Sequence, residues 1–257
     1  MTRSLLVAIM LLAVRSLAAQ ADATVPVSPA DSSAIADTAF REHARNRLLG
    51  MSTGEIAEKG SAWFGVHEVV LFQGGFVPAD FLQINVMIMP FGSPVALVGA
   101  KVQVLPRDGF FRGLAVGGDI GMTLQQNRIN DRDLLGAYNI ATSFGTDIVA
   151  MHLNLTSFNH LEGAGKFGLP NLAQLGISLR YPDDPHIKLM AEAWFVNEDE
   201  TGKNVDMEFG TVVGGLRIAH KHFVWEVGGF LVSGLSFSGH GPGGEVIVPY
   251  ASAAWYF

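Results

Sequence analysis

The chain has 257 residues, 49% of them apolar and only 16% charged, against roughly 25% charged in ordinary soluble domains. It carries 30 glycines and no cysteine, which excludes disulfide scaffolds, thiolate metal sites and cysteine nucleophiles together. A formal charge of −7, from 17 basic and 24 acidic residues, offers no basic footprint for nucleic acid, and so sparse a charge disfavours a cytosolic enzyme.

Residues 1–21 read as a secretory signal peptide: Arg3 precedes the apolar run from Leu5 to Val14, and Ala19-Gln20-Ala21 is a small-residue cleavage pattern. That run falls well short of the roughly 20 apolar residues a membrane-spanning helix requires. Residues 22–46, rich in Ala, Ser, Asp and Pro and ending in charge, predict a flexible periplasmic lead. Removing the signal takes away two arginines and no acid, so the mature chain stays acidic and strongly apolar.

Phe81 to Ala100 is an uncharged run that a hydropathy window would flag as a helix, yet Pro90-Phe91-Gly92-Ser93-Pro94 interrupts its centre. Prolines there would remove backbone hydrogen bonds, so the run divides into two extended halves. In the first, Leu82, Ile84, Val86 and Ile88 alternate with Gln83, Asn85, Met87 and Met89. The same period of two sets Val98, Ala100 and Val102 against Gly99, Lys101 and Gln103, and Leu175, Ile177 and Leu179 against Gln174, Ser178 and Arg180. In Ile187–Phe195 the polar parity carries Lys188 and Glu192. A soluble sandwich places more charge than this on its polar face, so the polar parity reads as the enclosed one.

Strands are predicted over 47–56, 61–74, 80–89, 95–105, 110–124, 136–144, 147–158, 171–181, 186–197, 205–219, 222–233 and 244–257. The class is all-β: a closed antiparallel transmembrane β-barrel of about twelve strands over residues 47–257, with ten to twelve compatible with the pattern. Around His67-Glu68 both parities are polar, and Arg217 falls on the apolar parity unless Gly214-Gly215 forms a bulge. From the fifth strand onward long connectors alternate with short ones (Gly145-Thr146, Pro182–Pro185, His220-Lys221), as in outer-membrane barrels with short periplasmic turns. Phe111, Phe144, Tyr181 and Phe223 gather near the short-turn boundary, where an interfacial aromatic girdle belongs.

The chain closes on Ala254-Trp255-Tyr256-Phe257, and this alternating aromatic end resembles the C-terminal targeting signal of bacterial outer-membrane β-barrels. Gly60-Ser61-Ala62-Trp63-Phe64 leading into Phe81-Leu82-Gln83-Ile84 is similar to a porin-like barrel family of unassigned function. The resemblance implies a small barrel in the bacterial outer membrane, with membrane lipid as surroundings and the barrel-assembly machinery as the reader of Trp255, Tyr256 and Phe257; such a barrel serves as a porin-like passive channel for small polar solutes or ions or as a structural barrel. It carries over no catalytic residue, cofactor or metal.

With these parities the lumen-lining candidates are Lys101, Gln103, Asp119, His152, Asn154, Gln174, Arg180, Lys188, Glu192, Glu208 and Glu226. Such a set serves either as an internal ion-pair network or as a selectivity-setting constriction. The enzyme alternative is an outer-membrane lipid hydrolase with a Ser/His site at the barrel rim, drawn from His152, Ser157, Asn159 and His160. In this register Ser157 and His152 fall on opposite faces of one strand.

Overall fold

The computed structural model describes residues 43–257 apart from 50, 68–70, 91–93, 124–133, 161–169, 183, 198–206, 221 and 236–243. The predicted signal peptide and most of the predicted lead lie outside the described residues.

Twelve strands form one closed antiparallel barrel in chain order: β1 (Ala62–His67), β2 (Leu71–Ala79), β3 (Leu82–Met89), β4 (Val95–Leu105), β5 (Phe111–Thr123), β6 (Leu134–Gly145), β7 (Val149–His160), β8 (Leu172–Arg180), β9 (Ile187–Asn197), β10 (Met207–Ala219), β11 (Phe223–Leu235) and β12 (Gly244–Tyr256). Closure comes from β1 against β12, with Phe64 opposite Trp255 and Trp63 opposite Tyr256. The uncharged run 81–100 is β3 and β4, and no described helix is long and apolar enough to cross a membrane.

Three expectations are corrected. Residues 47–56 are not a strand: Leu48 N–H bonds to Met51 O and Thr53 N–H to Asn46 O, so the backbone folds on itself while β12 pairs directly with β1. The predicted strand 61–74 is two strands, β1 ending at His67 and β2 beginning at Leu71, because the chain doubles back to pair Ala62–His67 with Leu71–Phe76 and to stack Phe64 on Phe72. The parity slip that admits Arg217 exists, but it lies between Phe209 and Thr211, and Gly214-Gly215 stay in register. The extra residue at Gly210 moves Arg217 to the inward face opposite Glu226.

Alternation sorts the two faces. Outward positions in β3, β4 and β5 read Ile84, Val86, Ile88, Val98, Val116 and Ile120, and each is substantially exposed. Among strand residues whose side chains are described, Asp, Glu, Lys and Arg all take the inward face. At the short-turn end Phe111 meets Phe144 edge to face, and Phe223 lies between Trp225 and Trp255. Gly145, at φ 125°, turns the chain into the short β6–β7 connection in a conformation that side chains other than glycine's rarely adopt.

Candidate functional site: a plugged bore and the cavity above it

Residues 44–57 lie inside the barrel at its short-turn end. They supply apolar side chains to two buried clusters, one around Ile56, Ala57, Trp63, Val77 and Tyr256, the other around Leu48, Leu49, Met51, Met190, Val213 and Tyr250. Glycines on the wall make room for them: a side chain at Gly176 would collide with Leu48 and Met51, and one at Gly215 would press on Leu49. The backbones of Gly54 and Gly113 approach so closely that neither tolerates a Cβ.

Polar wall residues hold this plug in place. Glu226 is the hub. Its carboxylate receives Arg217 Nε at 2.8 Å, Arg47 Nη1 at 3.0 Å, Tyr250 OH at 2.9 Å and Ser252 Oγ at 2.6 Å. Arg217, only 1% exposed, also donates to the carbonyls of Ala44, Arg47 and Leu48, tying β10 to the plug backbone. On the far wall Arg112 forms a two-pronged pair with Glu55 of the plug, at 3.0 and 3.1 Å. Charge removed from water is costly unless paired and hydrogen-bonded, and these groups satisfy both conditions.

Five of the eleven sequence candidates serve this clamp: Glu226 and, with it, Lys101, Gln103, Glu192 and His152. Lys101 donates to the carbonyls of Asn46 and Glu55, at 3.0 and 2.6 Å, and Gln103 reaches Gly54 O at 3.4 Å. Glu192 accepts from Met51 N–H at 3.4 Å and from Trp194 Nε1 at 2.8 Å. His152 joins Ser143 Oγ, at 2.8 Å from Nδ1, to Ser178 Oγ, at 3.3 Å from Nε2; Ser143 Oγ accepts Gly54 N–H. This Ser–His–Ser chain is buried beneath the plug, which leaves no room for a lipid ester at Ser143. Ser157 sits on the other parity of β7 from His152 and is buried too; the side chains of Asn159 and His160 lie outside the described residues.

Other candidates occupy other levels. Arg180 and Lys188 face each other across β8 and β9 near the short turns, and Glu208 is exposed opposite Val196 toward the long connectors. Asn154 Nδ2 donates to Gln174 Oε1 at 2.7 Å and to Thr156 Oγ1 at 3.0 Å. These residues and Asp119 line a cavity of about 440 Å³ whose floor is the plug, from Asn46 to Ser52. Of the terminal residues, Trp255 is exposed against Phe223, Tyr256 is buried and stacked on Trp63, and Phe257 closes the β1 edge through backbone bonds with Ala62.

Sequence reasoning missed Arg47, Glu55, Arg112 and Tyr250. Arg112 stands at the irregularity between Phe111 and Gly113, where alternation gives no face. Arg47 and Glu55 fall in the segment read as a strand, and nothing local marks a chain segment that folds into its own bore.

At the ends of the strands one charged group is also distinctive. Asp147, in the β6–β7 turn, accepts from Arg107 at 2.7 Å and Arg112 at 3.1 Å. The Arg107 hydrogen bond, with the charges of both arginines, holds its carboxyl below the usual carboxylate range.

No known protein family matches the chain, and no curated protein does. Three solved structures are among those to which it is similar. Pseudomonas aeruginosa OccK11 (OpdR) is 10% identical with a TM-score of 0.37, over 73% of this chain and 56% of that one. A double variant of OccD1 (OprD) is 9% identical with a TM-score of 0.41, over 85% and 73%. Outer membrane phospholipase A from Escherichia coli is 10% identical with a TM-score of 0.39, over 81% and 94%. The chain thus spans little more than half the length of OccK11.

Proposed function

We propose that this chain is a bacterial outer-membrane β-barrel that serves as a porin-like conduit for small polar solutes or ions, constricted by its own N-terminal segment. One observation carries the reading: the outward face is apolar around the barrel, while the described charged strand residues turn inward. Soluble proteins rarely expose a contiguous apolar patch beyond a few hundred Å². In lipid, by contrast, sheet is viable only when closed, and this sheet is closed.

Residues 1–21 direct export and are cleaved, and the barrel-assembly machinery reads Trp255, Tyr256 and Phe257. In this reading the plug sets the conductance, since it fills the bore at the level of Lys101, Glu192 and Glu226.

Two measurements test the proposal. The refolded chain should migrate differently on a detergent gel before and after boiling, and a mature chain that stays soluble without detergent and shows no such shift would overturn the membrane assignment. In a planar bilayer the intact chain should give small conductance steps, and a chain lacking residues 44–57 steps several-fold larger. Equal conductance from the two would refute the constriction.

A further inference from the structure

The cavity above the plug has two unlike walls. One, on β5 to β8, presents Asp119, Asn139, Asn154, Thr156 and Gln174. The other, which follows it round the barrel on β9, β11 and β12 with Trp194 directly opposite Gln174, is aromatic: Trp194 meets Phe230 edge to face at 5.9 Å, and Phe230 meets Tyr250 in the same way at 5.6 Å. At about 440 Å³ the space lies within the roughly 300 to 1,000 Å³ of small-molecule sites.

The polar wall is incompletely satisfied. Asn154, buried with 3% exposure, and Asn139 each hold a buried amide oxygen without a hydrogen-bond partner. Asp119 has neither an ion pair nor a hydrogen bond among the described residues. Gly99, opposite Asp119, leaves space for that carboxylate, because a Cβ there would overlap it. Buried polar groups in a finished network are paired, so unpaired ones converging on a cavity call for a ligand that brings donors.

The charge of the lining narrows the class. Of its three charged residues, Arg47 is paired with Glu226, which leaves Lys101 and Asp119, one of each sign. The Lys101 ammonium is already held by two plug carbonyls. A net-neutral cavity does not favour an ion of either sign. Amides donate as well as accept, as hydroxyl groups do, and an aromatic face suits a ring that is apolar on one side.

We propose that this cavity binds a neutral saccharide, its hydroxyls on Asp119, Asn139 and Asn154 and its C–H face on Trp194 and Phe230. The inference names the solute class of the conduit proposed above and rests on that reading.

Calorimetric titration of the full chain, refolded in a zwitterionic detergent free of sugar headgroups, tests it, with maltose and cellobiose as probes and agmatine and succinate as charged comparisons. Saturable binding of at least one disaccharide is expected, with no binding of the charged probes. Asp119→Asn and Trp194→Leu should each weaken it about tenfold or more while keeping the gel shift on boiling. If Trp194→Leu loses the shift, Asn139→Ala replaces it, with weakening again expected. A chain that shows the shift but binds neither disaccharide, binds a charged probe more tightly, or is unaffected by the folded variants would overturn the saccharide site. Loss of the shift in the unaltered chain would instead overturn the membrane reading beneath it.

Discussion

The two ends of the bore are built on opposite terms. Around the plug at the short-turn end the buried inward charges are matched: Glu226 to Arg47 and Arg217, Arg112 to Glu55. Toward the long connectors the lining is mostly uncharged, with amides facing aromatics and polar atoms left without partners. The contrast teaches that inward polarity is not one property. In the lower half its largest charged cluster is engaged by the chain's own segment 44–57 and holds that segment in place, and in the upper half the amides and Asp119 face an open cavity.

Breaking the clamped end should have the largest effect. Glu226→Ala strands Arg47 and Arg217 as buried unpaired cations, and removal of one partner from such a cluster costs about 3–5 kcal/mol. Denaturant unfolding in detergent should register that loss, and bilayer conductance should rise toward that of the plug-deleted chain; unchanged stability and conductance would mean the clamp is not what holds the plug. Next in size is a change that spares the bore altogether. Ile120 is 60% exposed on the outward face, and Ile120→Lys should destabilise the lipid-inserted barrel by about 2–4 kcal/mol, measured by reversible unfolding from vesicles. The same substitution on a face that met water would be nearly silent, so the measurement separates lipid from solvent.

Ser143→Ala removes the acceptor for Gly54 N–H and should cost about 1–3 kcal/mol by the same unfolding assay, since it leaves a buried donor unsatisfied. The smallest effect belongs to the turn outside both halves. The Asp147 carboxyl is held below its ordinary value of 3.8, so its contribution is present above about pH 4 and fades as pH falls through the lowered folded value. Stability profiles of the unaltered chain and Asp147→Asn should therefore differ near neutrality and converge in acid. Convergence at high pH instead would contradict the sign.

Much of this was legible from residue order. Leu82 to Met89 and Ile187 to Phe195 announce their faces because the period of two is uninterrupted, and the short turns at Gly145-Thr146 and His220-Lys221 punctuate it clearly. Inward positions such as Lys101, Glu192 and Glu226 could be chosen by parity alone. Their partners could not. Arg47 and Glu226 are 179 residues apart, and Arg217 reaches the inside through an irregularity at Gly210, four residues before the glycine pair where a bulge was expected.

By itself the sequence determined an all-β barrel with an apolar outside, a polar inside and reversals near their observed places, because alternation is a local consequence of strand geometry. Only the tertiary structure decided that 47–56 is a plug and not a wall strand, and that 61–74 reverses midway. Only it decided that the inward polar residues divide between a clamp on the plug and an amide-and-aromatic cavity above it. The physical reason is common to these outcomes. A segment with few charges and modest apolarity can satisfy its backbone either against a neighbouring strand or against side chains converging from many strands, and that choice depends on groups brought together only when the barrel closes.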